Sequence, residues 1–365
     1  MISPRLIAVA RCPDCRGGLH RTTDAITCAG CGRMFASDCG FLDLRPLTSF
    51  AEQTKYLDRD LHLDARHASI APPVLGSKIR NDMLRSFLAP GPGDRVVDLG
   101  CGNGRALAWN ADTGAAMLGV DISPYFAREA LDRSDLILGD LRRLPLADGA
   151  FNKAWSLDVL EHLSPQALQD VLTEAHRVLD DDGALFIYTH VRRNGWPAAG
   201  VRAVNRLARA CERAGLLDLR QERLRKSDHL NPIADHDELA RTVQAGGFRL
   251  ERVTYYSPVI GAFVENILAR AVEHALARRE RRRLPASHDP GAGIRAARAS
   301  AQARVRRGGL VYWVLRVVTA VMTLDVWLFG RVRSGPFFAL LRKNSSRAAA
   351  GPGASARVAE PLGSR

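Results

Sequence analysis

Apolar positions in the middle of the chain come in short runs bounded by polar and glycine-rich breaks: Arg95–Leu99, 117–120, 136–138, 153–157, 184–189 and 248–256. Helical spacing lies between most of them, most clearly in SPQALQDVLTEAHRVL, where Ser164 is placed to cap and Pro165 to open the first turn. Short apolar strands alternating with helices predict an α/β fold, a doubly wound and mainly parallel sheet over residues 94–257. Upstream, Ile79, Met83, Leu84, Phe87 and Leu88 recur at helical spacing until Pro90-Gly91-Pro92-Gly93 stops the helix. Residues 46–93 are therefore expected to form a helical linker or substrate lid, with His62 and His67 exposed.

Past residue 258 the pattern changes. An amphipathic run over 259–277 leads into RRERRR, an Ala/Gly/Ser/Arg stretch and then the twenty-residue apolar run Leu310–Phe329, so 258–333 reads as a helical insert. SGPFFALLRK predicts the last strand of the sheet over 334–343, paired beside 248–256, and the Ala/Gly/Ser-rich tail 344–365 is expected to be disordered. Leu310–Phe329 is long enough to cross a bilayer. Against that, Arg316 and Asp325 would each cost ~2.5–3.5 kcal/mol at its centre. A span would also put the last strand across the membrane from its sheet. A lid over the site, a helix in the membrane interface and a buried core helix remain.

Composition narrows the function classes. A chain of 365 residues that is 46% apolar supports a folded core and two or three domains. Its net charge of +13 favours anionic partners, although a bias toward arginine over lysine weakens that as a nucleic-acid signal. Seven cysteines, an odd number, and no apolar run of signal-peptide length before Cys12 point to a reducing, cytoplasmic setting. Four of those cysteines follow a C-x2-C, twelve-residue, C-x2-C spacing: Cys12, Cys15, Cys28 and Cys31. Glycines after each pair permit tight knuckles, and four thiolates suit a closed tetrahedral Zn²⁺ site, so 1–45 is expected to be a zinc ribbon with a structural metal. Cys39 is expected to be a packing residue.

The first strand runs directly into Gly100-Cys101-Gly102-Asn103-Gly104, a turn that admits a ligand against bare amides at the sheet's C-terminal edge. The next strand ends in Asp121, where a carboxylate can grip a ribose diol, and the third in Gly139-Asp140-Leu141. With VVDLGCGNGR, GVDIS, LGDLRRLPLADGAFN, SLDVLEHL and LDDDGALFIYT in order, residues 94–190 resemble the class I S-adenosylmethionine-dependent methyltransferases, of the branch acting on quinones, lipids and small metabolites. That resemblance implies a Rossmann-like methyltransferase sheet. It implies that Asp98, Gly100, Gly102 and Gly104 hold the methionine part and that Asp121, with Ile122, holds the ribose. Asp140 and Leu141 would hold the adenine, and Ser156 to Asp158 would line the methyl-donor pocket. The cysteine segment is similar to zinc ribbons associated with methyltransferases of tRNA, rRNA and protein.

Methyl transfer to oxygen or carbon often needs a base. His162 after the fourth strand, His190 at the end of the fifth and His229 in a loop before the helix His236–Ala245 are the candidates. The expected substrate is a lipophilic small molecule, a quinone, lipid-linked intermediate or polyketide-like compound. The enzyme is expected to be cytoplasmic and peripheral at the inner face of an anionic membrane. An RNA methyltransferase holding RNA through its ribbon is the alternative, and a catalytically dead fold serving as a binding module comes third.

Overall fold

In the computed structural model the described residues are 2–22, 25–36, 39–46, 70–219, 223, 229–281, 305 and 308–344. The expectations for 47–69, including His62 and His67, and for the tail beyond Asn344 lie outside them. The N-terminal segment forms α1 (Pro4–Val9), β1 (Leu19–Arg21), β2 (Ile26–Cys28), β3 (Met34–Phe35) and β4 (Leu42–Asp43). There follow α2 (Leu75–Leu88), β5 (Arg95–Leu99), α3 (Arg105–Asn110), β6 (Ala116–Asp121), α4 (Arg128–Leu131) and β7 (Asp135–Leu138). Then come β8 (Phe151–Leu157), α5 (Pro165–Val178), β9 (Leu179–His190), α6 (Ala198–Arg213), α7 (His236–Ala245) and β10 (Phe248–Tyr255). The chain closes with α8 (Val259–Phe263), α9 (Ala269–Arg281), α10 (Leu310–Phe329) and β11 (Pro336–Lys343).

Eight strands form the main sheet in the order β10-β11-β9-β8-β5-β6-β7-β4. Pairing is parallel from β9 to β4, while β11 enters antiparallel between β9 and β10. Successive side chains of a strand point to opposite faces. Val97, Leu99, Leu118 and Val120 accordingly pack on one side with Leu168 and Val171 of α5. Val96, Met117, Leu138 and Trp155 pack on the other with Ile79 and Leu84 of α2 and Met322 of α10. Ser164 caps α5 through Ala167 N, as its sequence position predicts.

Three features differ from the sequence expectation. The ribbon does not stand apart: Leu6, Ile26, Phe35 and Leu42 join the same buried cluster as Val97 and Leu118, and β4 extends the sheet beside β7. Arg11 N donates to Pro145 O at 2.9 Å, Ala147 N donates to Val9 O at 2.8 Å, and Arg16 Nη2 lies 3.1 Å from Glu174 Oε2 on α5. Cys39, expected to pack, is exposed. Helix α6 was not foreseen, although Val201, Val204, Ala208 and Cys211 recur in it at helical spacing.

Within 258–333 the described helices cover 259–281 and 310–329, and the expectation for 282–304 lies outside the described residues. Helices α8 and α9 run on through a π-helical turn, Val264–Leu268, and α10 packs against α2 and α8. Among the described residues α10 is the one helix long and apolar enough to cross a membrane.

Candidate functional site

The glycine turn after β5 is built as its sequence requires. Gly100, Gly102 and Gly104 all take positive φ, at 83°, 54° and 82°. A Cβ on Gly100 would meet Val159 at 2.5 Å and one on Gly104 would meet Ala130 at 2.5 Å, whereas Gly102 faces open space. At the foot of this turn Asp98 is buried, and its Oδ2 has no hydrogen-bond partner among the described residues. Burial pushes its carboxyl up to about 7. An orphaned carboxylate oxygen at the foot of this turn fits a ligand that brings its own N–H donors, as the cationic amino group of S-adenosylmethionine does.

The other cofactor candidates line the same edge with different commitments. Asp121 accepts from Gly102 N at 2.7 Å and from Ser123 N at 2.8 Å, so it fastens the glycine turn. Asp140 is forked to Arg142, with Oδ2 2.9 Å from Nη2. Ile122 and Leu141 are half-buried beside these two acids. Ser156 is buried, and its hydroxyl donates to Leu99 O at 2.9 Å, stapling β8 to β5. Asp158, at φ 56°, lies 3.5 Å from the Nε of Arg80 on α2. The Arg80 guanidinium in turn sits 5.4 Å over the Tyr188 ring.

The three candidate histidines, from three separate stretches of chain, converge on one acid. Glu161 is 1% exposed in the turn after β8, and its Oε2 accepts from Thr189 Oγ1 at 3.0 Å. His190 Nδ1 lies 3.5 Å from its Oε1. The His162 and His229 rings meet edge to face at 4.6 Å, and those of His190 and His229 are 6.1 Å apart. Asn231 N donates to Glu161 O at 2.9 Å, which tethers the loop carrying His229. Ligand atoms of Glu161, His162 and His229 all lie within 4.8 Å of one another. Burial alone would raise the Glu161 carboxyl, but His190 beside it outweighs burial and holds it below the ordinary value. Sequence reasoning gave Glu161 no role of its own. The available signal was its place: Glu161-His162 follows one strand and Thr189-His190 ends the neighbouring one.

Across the molecule the four ribbon cysteines come together. The Sγ atoms of Cys12 and Cys31 are 3.7 Å apart, those of Cys15 and Cys28 are 3.4 Å apart, and all four lie within 4.8 Å of one another. Four sulfurs at ~2.3 Å from a tetrahedral Zn²⁺ lie about 3.8 Å apart, so the donor set fits that ion. A Cβ on Gly17 would meet Cys28 Sγ at 2.9 Å and one on Gly30 would meet Cys15 Sγ at 3.2 Å, so both knuckles need their glycine.

Comparison with known proteins agrees with this geometry. Residues 97–187 match the family model described as a methyltransferase domain. The chain is 31% identical over 112 residues to an uncharacterized methyltransferase, sll0829, of Synechocystis sp., covering 30% of this chain and 53% of that one. It is 29% identical over 160 residues to methyltransferase GfsG of Streptomyces halstedii, covering 39% and 57%. Over 186 residues it is 29% identical to 24-methylenesterol C-methyltransferase 2 of Oryza sativa subsp. japonica, covering 48% and 46%. The chain thus spans about half the length of these relatives. Sheet order, glycine turn and matched segment together make residues 97–187 a methyltransferase domain of the class I, S-adenosylmethionine-dependent kind.

Proposed function

We propose that this protein transfers a methyl group from S-adenosylmethionine to an oxygen or carbon of a lipophilic small molecule, with a structural zinc in its ribbon. The observation that carries the proposal is the convergence of His162, His190 and His229 on buried Glu161, in the turn whose Val159 presses on Gly100 of the cofactor loop. The cofactor supplies the activated methyl group. Asp98 and the glycine turn hold its amino-acid end, Asp121 its ribose and Asp140 with Leu141 its adenine. His162 or His229 accepts the acceptor's proton, while Glu161 and Thr189 fix His190 in place. A relative named for a sterol substrate supports an apolar acceptor.

Calorimetry and labelled methyl transfer test this. S-adenosylmethionine should bind the intact protein in the micromolar range. Asp121→Ala should weaken binding about tenfold by removing a hydrogen-bonded carboxylate. Glu161→Gln should keep cofactor affinity and lower turnover by roughly 10²-fold, the scale of acid–base catalysis. Label should enter the solvent-extractable fraction of a cell extract. No cofactor binding refutes the enzyme, and label confined to RNA replaces the acceptor by the RNA alternative.

A further inference from the structure

Helix α10 is inside out. The residues it buries are Thr319, Met322 and Asp325, two of them polar. Among the large apolar residues it turns outward, Leu310, Trp313, Val317, Val321, Leu324 and Trp327 are spaced three or four apart along one face about 26 Å long. Trp327 is 80% exposed, Val317 65% and Trp313 59%.

The polar side cannot roll outward cheaply, because it anchors the helix to the body. Thr319 Oγ1 accepts from Leu75 N at the start of α2 at 2.8 Å. Asp325 accepts from Ile260 N at 3.0 Å and from Gly261 N at 2.8 Å, capping α8. Turning the helix over would leave three backbone donors without partners, at about 1–3 kcal/mol each. The outward apolar face is therefore the fixed arrangement of this helix. The same anchors argue against a span: they hold α10 along the body, and seven residues past Phe329 the chain enters β11, inside the sheet.

We propose that this face docks on an anionic lipid bilayer, with α10 lying in the plane of the headgroup–acyl boundary. Tryptophans sit near both ends of the face, where an interfacial helix places its amphipathic rings. Arginines bracket the helix in sequence, Arg304, Arg306 and Arg307 before it and Arg331 and Arg333 after it, in a chain of net charge +13. Arg331 and Arg333 are exposed. Those charges favour anionic headgroups and oppose a second copy as occupant, since paired helices would bring arginine-flanked ends together in either orientation. The inference stands on the helix alone and does not depend on which acceptor is methylated.

The test is flotation of the full-length protein with vesicles of phosphatidylcholine, with and without phosphatidylglycerol. The protein should float with the anionic vesicles and mostly stay behind with phosphatidylcholine alone. Salt should reduce flotation without abolishing it, because only the arginine contribution is screened. A Trp313→Ser, Val317→Ser, Trp327→Ser variant should float about tenfold less, with melting temperature and cofactor affinity unchanged, since all three side chains are exposed. If the triple variant fails to fold, Trp327→Ser alone serves, with a smaller loss expected. Three results would overturn the proposal. One is a parent that does not float, or a variant that floats as well as the parent. Another is a parent dimer that the variant turns into monomer, which makes the face a subunit interface. The third is a membrane-bound form that resists alkaline carbonate, which makes α10 a span.

Discussion

The ribbon and the insert are both additions to one methyltransferase sheet, and they attach to it in opposite ways. The ribbon sends its apolar side chains inward: Leu6, Ile26, Phe35 and Leu42 are buried in the cluster that also holds Val97 and Leu118. The insert helix α10 sends Met322 and two polar anchors inward and most of its large apolar side chains outward. Burying apolar area is the main stabilising term in folding. An element that buries it against the body has its partner already, and one that exposes it points to a partner outside the chain.

The largest effect that would break this comparison concerns the metal. Replacing Cys28 and Cys31 together by serine should abolish the one zinc expected per chain. Structural zinc supplies about 10–16 kcal/mol of binding free energy, as much as the roughly 5–15 kcal/mol stability of a whole domain. Residues 2–46 should then become protease-sensitive. Because their core is shared, the melting temperature of the sheet domain should fall too. A variant that loses zinc while the sheet melts unchanged would make the ribbon a separate unit after all.

A pair of substitutions on α10 probes the other side. Met322→Ala, at a buried position, should cost about 2–5 kcal/mol. Trp327→Ser, on the exposed face of the same helix, should stay within about 0.5 kcal/mol of the parent despite removing the larger group. Denaturant unfolding of both measures this. Equal costs would mean that the outward face is packed, and the inside-out description would fail.

Much of this was legible in the sequence. The strands, the glycine turn and the cysteine spacing were clear because each depends on local pattern. PFFALLRK was recognisable as a strand from the same kind of pattern, and it pairs with β10 as expected and with β9 on its other side. What was missed depends on contacts distant in sequence. Strand β4 has two residues, too few to carry an alternation, and pairs with β7 nearly a hundred positions on. Glu161 matters because Thr189, His190 and the loop at His229 fold onto it. In α10 nearly every side chain is apolar, so periodicity could not say which face turns inward; only the partners of Thr319 and Asp325 do. Ser156, which the resemblance places beside the methyl-donor pocket, also staples β8 to β5, a contact that no local pattern shows.

The smallest effect is one of sign, and it separates the two attachments by pH. Glu174, the α5 partner of the ribbon's Arg16, is held below the ordinary glutamate range: burial pushes it up, but the Arg177 hydrogen bond and charge, with Arg16, outweigh that. Its stabilisation is fully present above the unfolded-state value of about 4.3 and is lost as pH falls through the folded value. Asp325, which anchors α10, is raised by burial, and its backbone donors offset that only in part. Its folded form binds a proton more readily than the unfolded chain, so its contribution improves as pH falls through the folded value and worsens as pH rises. Parent-minus-variant stability should therefore shrink on acidification for Glu174→Gln and grow for Asp325→Asn. The Glu174 difference should stay modest, because the Arg16 side chain is 34% exposed and such a pair is worth about 1 kcal/mol or less. Denaturant unfolding of each variant and the parent, at neutral pH and near pH ~4 where free carboxylates titrate, reads both slopes. Slopes of the same sign would mean that the two regions are held by the same kind of contact.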